Sequence, residues 1–314
     1  MEPPLEFGAG LDQPFAGIMS FRLEMLQVAR LAPQLLGDAA ELVRAFLHRQ
    51  TLDSGAFPDR DGRADLYYTV FGMEALLALH TEPDWPRLAA WLATFRDGEK
   101  LDFIHLCCLA RCWSAVPENI ARLSDDFRTA LLDRIVAFQT PDGGFHQRRG
   151  ATRCTAYGCL LGWAAHYDLR APLPSADNLT TCLSVLAVPG GGYANEPGLT
   201  NGTVPATAAA VALHRHLRRT PPDNTGAWLL AQQHPGGGFL AAPGAPLPDL
   251  LSTAVALHAL DGMQVSFAPY KDALLDFTDT LWSAEGGFHG HWSDDSLDVE
   301  YTYYGLLALG HLAL

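Results

Sequence analysis

Four times along this chain a glycine pair is followed by an aromatic residue: Gly143-Gly144-Phe145, Gly191-Gly192-Tyr193, Gly237-Gly238-Phe239 and Gly286-Gly287-Phe288. A weaker version stands at Gly55-Ala56-Phe57. From Phe145 onward the aromatics are spaced by 48, 46 and 49 residues. The 88 residues from Phe57 to Phe145 hold two repeats, and the missing member falls at Asp97-Gly98, where the aromatic is lost. Self-similarity at a fixed period of this size means an array of one supersecondary unit, because no single unit can bury its apolar face alone. The spacings give six units of roughly 47 residues.

Every unit has the same internal order: an apolar helical stretch such as residues 131–139 or 228–233, the glycine-aromatic turn, a loop, and a second apolar helix. The second helices are expected to begin at Asp65, Asp102, Ala151, Thr203, Asp249 and Asp298. They are apolar nearly all round and should therefore be buried. Small residues dominate 206–211 and 253–260, which favours close packing and a closed ring over an open superhelix. The expected fold is all-α, an (α/α)6 toroid of six helix-pair repeats in one domain spanning 1–314. Residues 1–40 form an N-terminal extension and 41–314 the repeats; within the extension, residues 21–32 read as a helix lying across the outside. Gly144 is expected to need a positive φ, and the aromatics after the glycines read as packing wedges.

The chain carries 35 acidic against 21 basic residues, a formal charge of −14. Nucleic-acid binding needs clustered Lys and Arg to displace counterions, so a nucleic-acid partner is not expected. No stretch approaches the roughly 18 apolar residues of a membrane helix, and residues 1–17 lack a basic segment followed by an apolar core. The expectation is a cytoplasmic protein without a transmembrane segment. Six cysteines are too few for a disulfide scaffold. Those at 107, 108 and 112 sit in an apolar run and read as free buried thiols, as does the stripe that His105, Cys108 and Cys112 form on one helical face.

The turn Thr140-Pro141-Asp142-Gly143-Gly144-Phe145 between two apolar helices, the second opening on Asp or Thr, resembles the α/α toroid superfamily. That superfamily includes the β subunits of protein prenyltransferases and the squalene-hopene type terpene cyclases. The resemblance covers about residues 40–314. It implies inner helices around an apolar cavity that takes an isoprenoid or other apolar small molecule, and isoprenoid chemistry where the catalytic positions are kept. The prenyltransferase zinc ligands fall on Asp249, Leu251 and Tyr301. A hydrocarbon cannot coordinate zinc, and Tyr is a poor substitute for thiolate or imidazole, so no zinc is expected there. The diphosphate-gripping positions fall on Pro243 and Pro246, which carry no charge. Pro248-Asp249-Leu250-Leu251-Ser252-Thr253-Ala254-Val255 is similar to the cyclase box Pro-Asp-x-Asp-Asp-Thr-Ala-Val, with Leu251 in the place of the proton donor. Thr152-Arg153-Cys154-Thr155 resembles an Arg-bearing inner-helix start, which implies that Arg153 faces the pocket. It would orient an anionic end of the substrate, alongside His146, Arg148 and Arg149.

Aligned by their helix starts, the repeats place Tyr68, His105, Cys154, Ala206, Ser252 and Tyr301 in the column three residues on. The first column reads as N-caps, each contributing about 1 kcal/mol, or as an acidic rim. Asp65 and His105 stand in the relation of a zinc Asp and His, with Tyr67 where the Cys would be; without a metal, His105 would serve as an acid or base. Asp294, Asp295 and Asp298 have DDxxD spacing, a magnesium-binding pattern if a diphosphate is involved. The candidate catalytic residues are Asp249 and Asp298, and the candidate substrate contacts are Tyr68, His105, Arg153, Cys154, Glu300 and Tyr301. Carboxylates crowded at an apolar mouth should include at least one with a raised pKa. No cofactor is expected, zinc included, and magnesium enters only where a diphosphate is involved. The leading function is a divergent prenyltransferase-like or terpene-cyclase-like protein that binds an isoprenoid and transforms it by acid catalysis. The alternative is a noncatalytic toroid scaffold or protein-interaction module, with a protein partner like the helical-repeat α subunit of the eukaryotic transferases. A carbohydrate-active barrel is a third reading, which needs two carboxylates about 5–10 Å apart in a groove.

Overall fold

The computed structural model describes residues 19–314, so the reading of residues 1–17 lies outside the described residues. In chain order its helices are α1 (Phe21–Ala29), α2 (Pro33–Leu36), α3 (Ala39–Gln50), α4 (Leu66–Ala78), α5 (Trp85–Ala93), α6 (Phe103–Ala115) and α7 (Asp125–Val136). They continue with α8 (Ala156–Asp168), α9 (Ala176–Leu186), α10 (Val204–His216), α11 (Thr225–Leu230), α12 (Leu250–Gly262), α13 (Lys271–Thr280) and α14 (Val299–Leu312).

Six of these, α4, α6, α8, α10, α12 and α14, pack each on the next, and α14 returns to α4. The ring is closed. The alternating helices α3, α5, α7, α9, α11 and α13 lie against them from outside. The fold is therefore an (α/α)6 toroid. Its only strands among the described residues are two-residue pairings across the turn loops, Phe57–Pro58 with Ala64–Asp65 and Phe239–Leu240 with Pro248–Asp249. No described helix is long and apolar enough to cross a membrane.

Each inner helix begins where a side-chain oxygen satisfies its first free amides. Asp65, Asp102, Thr155, Thr203, Asp249 and Asp298 are the caps, accepting from the amides of Tyr68, His105, Gly158, Ala206, Ser252 and Tyr301. The third repeat departs from the expected start at Ala151: α8 is capped by Thr155, four residues later, 10 residues after Phe145, the same offset that separates Tyr193, Phe239 and Phe288 from their caps. Gly158, not Cys154, therefore occupies that repeat's position three residues beyond the cap.

The turn chemistry is shared by the repeats. The first glycine of each pair takes a positive φ, at +89° in Gly143, +114° in Gly191, +88° in Gly237 and +97° in Gly286. Gly98, in the decayed repeat, also lies at +76°. Gly144, expected to be the left-handed residue, is not; its constraint is close approach, since a Cβ there would lie 2.5 Å from the Cβ of Cys154. The following aromatics, Phe57, Phe145, Tyr193, Phe239 and Phe288, are all buried.

Residues 21–29 do form a helix, but its place differs from the expected outer surface. The side chains of Met25, Leu26 and Ala29 are buried, α1 packs on α4 and α14, and Phe21 meets His216 and His258 edge-on. Arg22 pairs with Glu74 at 3.0 Å and Glu24 with Arg215 at 3.3 Å, near the C-terminal ends of inner helices. Helix α1 closes one end of the ring, because the exposed C-terminal ends of six apolar helices need a cover.

The two constraints on the turn glycines are separable. Gly237 has φ +88° and its Cβ would stand 2.1 Å from the carbonyl oxygen of Ala273, whereas Gly244 has φ +80° with nothing within 4 Å. Gly244→Ala is expected to cost only the left-handed penalty, about 1–2 kcal/mol. Gly237→Ala is expected to cost about 1–3 kcal/mol more, because the backbone must shift. Urea unfolding of the two variants measures the difference, and equal midpoints would count against the clash.

Candidate active site

The inner helices enclose a cavity of about 730 Å³, within the roughly 300–1,000 Å³ range of small-molecule sites. Its wall is organised in layers set by helical periodicity. Two residues beyond each cap stand Tyr67, Ile104, Tyr157, Pro205 and Leu251, all lining the cavity. Six residues beyond each cap stand Phe71, Cys108, Leu161, Ala209, Val255 and Tyr304, which line it as well. Deeper still are Glu74, Arg111 and His258, and Phe21 and Met25 of α1 form the floor. The spacing is that of one helical face turned inward. Alignment on the cap and on the third residue after it meets the cavity only at Asp65, Tyr68 and His105, since one residue is a rotation of about 100°.

Glu300 is the sixth member of the layer two residues beyond the caps, and it is the one carboxylate in that layer. Burial pushes its pKa up to about 7, against the lowering effect of a hydrogen bond from Tyr67 and with a further rise from Asp298. The Tyr67 hydroxyl donates to Glu300 Oε1 at 2.6 Å. Tyr67 lines the cavity, so the pair joins a half-ionised carboxyl to the apolar interior through one phenol.

At the rim His105 bridges two caps, with Nε2 3.0 Å from Asp65 Oδ2 and Nδ1 2.8 Å from Asp102 Oδ1. The bond to Asp65 is the largest cause that raises the His105 pKa to about 9; burial opposes it and Asp102 adds to it. At neutral pH the ring is an imidazolium held by two carboxylates. At the floor Glu74 is fully buried beside Arg22, with Arg111 Nε 4.0 Å away, and burial raises the pKa of Asp168 to about 6 despite Arg111.

Asp249 and Asp298 are cap residues first. Asp249 spends both oxygens on Ser252, on the amide at 2.6 Å and the hydroxyl at 2.8 Å, and burial raises its pKa. Asp298 caps the Tyr301 amide at 2.9 Å and takes Arg60 Nε at 2.9 Å. Neither lines the cavity, whereas Tyr68 and His105 do. Arg60 also bonds Asp294 at 3.1 Å and lies over the Tyr301 ring. Its guanidinium thus occupies the place between Asp294 and Asp298 where magnesium would bind, and Asp295 is exposed. Sequence reading missed Arg60 because 238 residues separate it from Asp298.

Four of the expected substrate contacts, Arg153, Cys154, Glu300 and Tyr301, do not line the cavity, and the first two lie well away from it. Arg153 is exposed, as are Arg148 and Arg149, and Arg149 stacks on Phe138. Cys154 is buried beside Gly144, outside the cavity. Both follow from the shift of the α8 cap to Thr155, which moves them off the inner helix. The donor set Asp249, Leu251 and Tyr301 does not fit zinc: Leu251 presents hydrocarbon, and the Tyr301 pKa is pushed up to about 12, mainly by burial, so the phenol stays protonated.

Comparison with known proteins agrees with this architecture. The family model of the prenyltransferase alpha-alpha toroid domain matches residues 206–313. A type II terpene cyclase, MstE from Scytonema, superposes with a TM-score of 0.58 at 12% identity, over 89% of this chain and 97% of that one. A variant of that cyclase in complex with geranylgeranyl dihydroxybenzoate superposes with a TM-score of 0.55 at 12% identity, over 93% and 97%. Candida albicans protein geranylgeranyltransferase-I complexed with GGPP gives 0.50 at 15% identity, over 91% and 83%. No curated protein sequence matches the chain. At these identities the likeness is one of fold, and the fold is the α/α toroid.

The His105 geometry has a measurable consequence. Its folded-state pKa lies above the ordinary 6.5, so its contribution to stability is full below about pH 6.5 and is lost as pH rises through about 9. Imidazole proton NMR should give a His105 midpoint near 9 in the native chain, moving toward the ordinary value in Asp65→Asn. A native midpoint near 6.5 would remove the two-carboxylate bridge.

Proposed function

We propose that the cavity takes an isoprenoid chain and that the Glu300–Tyr67 pair protonates it, making the chain a terpene cyclase-like acid catalyst. The observation that carries this reading is a carboxyl with a pKa of about 7 hydrogen-bonded at 2.6 Å to a phenol that lines an apolar cavity. Its repeat position supports it. The resemblance to the cyclases put the proton donor two residues beyond a cap, at Leu251, where this chain has no acid. Glu300 stands two residues beyond the next cap, so the acid has moved one repeat around the ring. The fold neighbours that hold geranylgeranyl dihydroxybenzoate and GGPP support an isoprenoid as the substrate class.

In this reaction the Tyr67 hydroxyl proton moves to an alkene carbon, and the Glu300 proton moves to the Tyr67 oxygen, leaving a carboxylate. The short contact serves with the hydrogen on either oxygen. The carbocation so formed is attacked by a second double bond of the same chain and finally loses a proton, so the net change is an isomerisation. Tyr157, Phe71, Tyr303 and Tyr304 offer aromatic rings around the cavity, a surface that favours a cation. Tyr68 and His105 frame the entry and are the contacts for the polar end of the substrate. Asp249 and Asp298 act by holding the inner-helix ends, and magnesium has no part because Arg60 satisfies the carboxylates it would need.

The test incubates the purified chain with geranylgeranyl dihydroxybenzoate and with GGPP in deuterated water. A cyclised product carrying one deuterium at the protonated carbon is expected from at least one of them. Glu300→Gln and Tyr67→Phe should each lower kcat by about 100-fold or more with little change in KM. Activity of the native chain should fall as pH rises through about 7, as the acid loses its proton. A pH-independent rate across that range, or full activity in Glu300→Gln, would overturn the assignment.

A further inference from the structure

Away from the cavity, one repeat breaks the pattern of the others in three places, and all three changes are to cysteine. In four repeats the amide of the turn aromatic donates to a threonine hydroxyl on the inner helix: Phe57 to Thr69, Tyr193 to Thr207, Phe239 to Thr253 and Phe288 to Thr302. In the third repeat the equivalent position is Cys159, and the Phe145 amide points to its sulfur. In three repeats the second glycine packs under an aromatic from the next outer helix: Gly192 under Trp228, Gly238 under Phe277 and Gly287 under Phe46. In the third repeat Gly144 meets Cys182 of α9 instead, and Cys154 fills the position just before the α8 cap.

The three sulfurs lie within 4.8 Å of one another and all three residues are fully buried. A cysteine is far smaller than the Trp or Phe it replaces, so the substitutions leave thiols converging where other repeats have a ring. A Cβ on Gly144 would stand 2.7 Å from Cys159 Sγ and 3.0 Å from Cys182 Sγ, so glycine keeps the centre of the cluster clear. Asp142 stands beside the cluster, its carboxylate also accepting from the Thr140 hydroxyl and, at 3.4 Å, the Gly144 amide. Cys182 Sγ is 3.3 Å from the Asp142 carbonyl oxygen, its thiol also bonds the Asp142 carboxylate, and that carboxylate takes the Cys154 amide at 3.1 Å.

We propose that Cys154, Cys159 and Cys182, with Asp142 as fourth ligand, form a closed structural site for a thiophilic divalent cation, zinc, pinning the third glycine-aromatic turn to α8 and α9. Tetrahedral zinc with Zn–S of about 2.3 Å sets sulfurs about 3.8 Å apart, inside the 4.8 Å that spans the present cluster. Binding releases the three thiol protons to solvent and leaves three thiolates and one carboxylate around the ion. None of the three cysteines lines the central cavity, so this site is independent of the acid site and of the Asp249, Leu251 and Tyr301 positions.

The test is metal analysis of the full chain purified with reductant. One zinc per chain is expected, and replacement by cobalt should give an intense thiolate-to-metal band in the near ultraviolet with the visible bands of tetrahedral cobalt. The double variant Cys159→Thr with Cys182→Phe restores the arrangement of the other repeats. It should keep the helical circular dichroism spectrum while losing the zinc and the cobalt bands, and Cys112→Ala should keep both. A native chain that takes up neither zinc nor cobalt, zinc that persists in the double variant, or a native disulfide among the three thiols found by mass spectrometry would each overturn the proposal.

Discussion

A single buried hydroxyl holds each standard repeat together. The threonine four residues beyond the cap accepts the amide of the turn aromatic and donates to the carbonyl of the cap itself. The donating distances are 2.6 Å in Thr69 and 2.7 Å in Thr207, Thr253 and Thr302. Loop, aromatic and inner-helix start are thereby fixed by one side chain. The arrangement is demanding because the amide is buried, and an amide left without a partner there costs about 1–3 kcal/mol. Once the aromatic is fixed, it wedges against the inner helix through glycines such as Gly72, Gly162 and Gly305, where a Cβ would collide with the rings of Phe57, Phe145 and Phe288. The closed ring follows from stacking six helix pairs, four of them fixed by this bond, and its central cavity from the width of the six-membered circle.

Much of this was legible because it is periodic. Glycine pairs, aromatics and five of the six caps can be read from spacing, and the all-round apolar character of 253–260 identifies an inner helix without coordinates. The exceptions share a cause, which is that they depend on phase or on long-range closure. Thr155 stands at the 10-residue offset from its aromatic that the last three repeats share, so a helix start at Ala151 is an error of phase, and it carried Arg153 and Cys154 onto the wrong surface. The cavity layers at Tyr67, Phe71 and Glu74 were missed because choosing the inward face needs the rotation of each helix to within one residue. The pairing of Arg60 with Asp294 and Asp298 joins the first repeat to the last. The place of α1 depends on what the finished ring leaves uncovered, and no local pattern in residues 21–29 carries that information.

The ionisable groups sort by the two ends of the ring. Helix starts present unpaired amides and attract carboxylates, so the rim gathers Asp65, Asp102, Asp249 and Asp298. These carboxylates stay useful as caps because each finds donors: Asp65 is held below its ordinary pKa although burial opposes it, through His105 and the Tyr68 amide. At the opposite end the charges of Arg22, Glu74, Arg111 and Asp168 sit under α1, where the apolar wall gives way to a cross-linked polar floor. Between the two ends the layers are hydrocarbon and aromatic, and an ionisable group in them must pay for its desolvation by changing its proton affinity.

Glu300 is such a group, and its position explains why it differs from the aspartates beside it. A cap residue directs its oxygens along the helix axis toward the amides of its own first turn, which commits them. Two residues further the side chain finds its hydrogen-bond partner in the neighbouring repeat at the same level. For Glu300 that neighbour is Tyr67, because ring closure sets the last repeat beside the first. One hydrogen bond leaves most of the carboxyl's solvation unreplaced, so burial dominates and the proton is retained up to about pH 7. Placing the acid at the seam of the ring couples its protonation to closure itself: the group that can give up a proton exists only when the sixth unit meets the first.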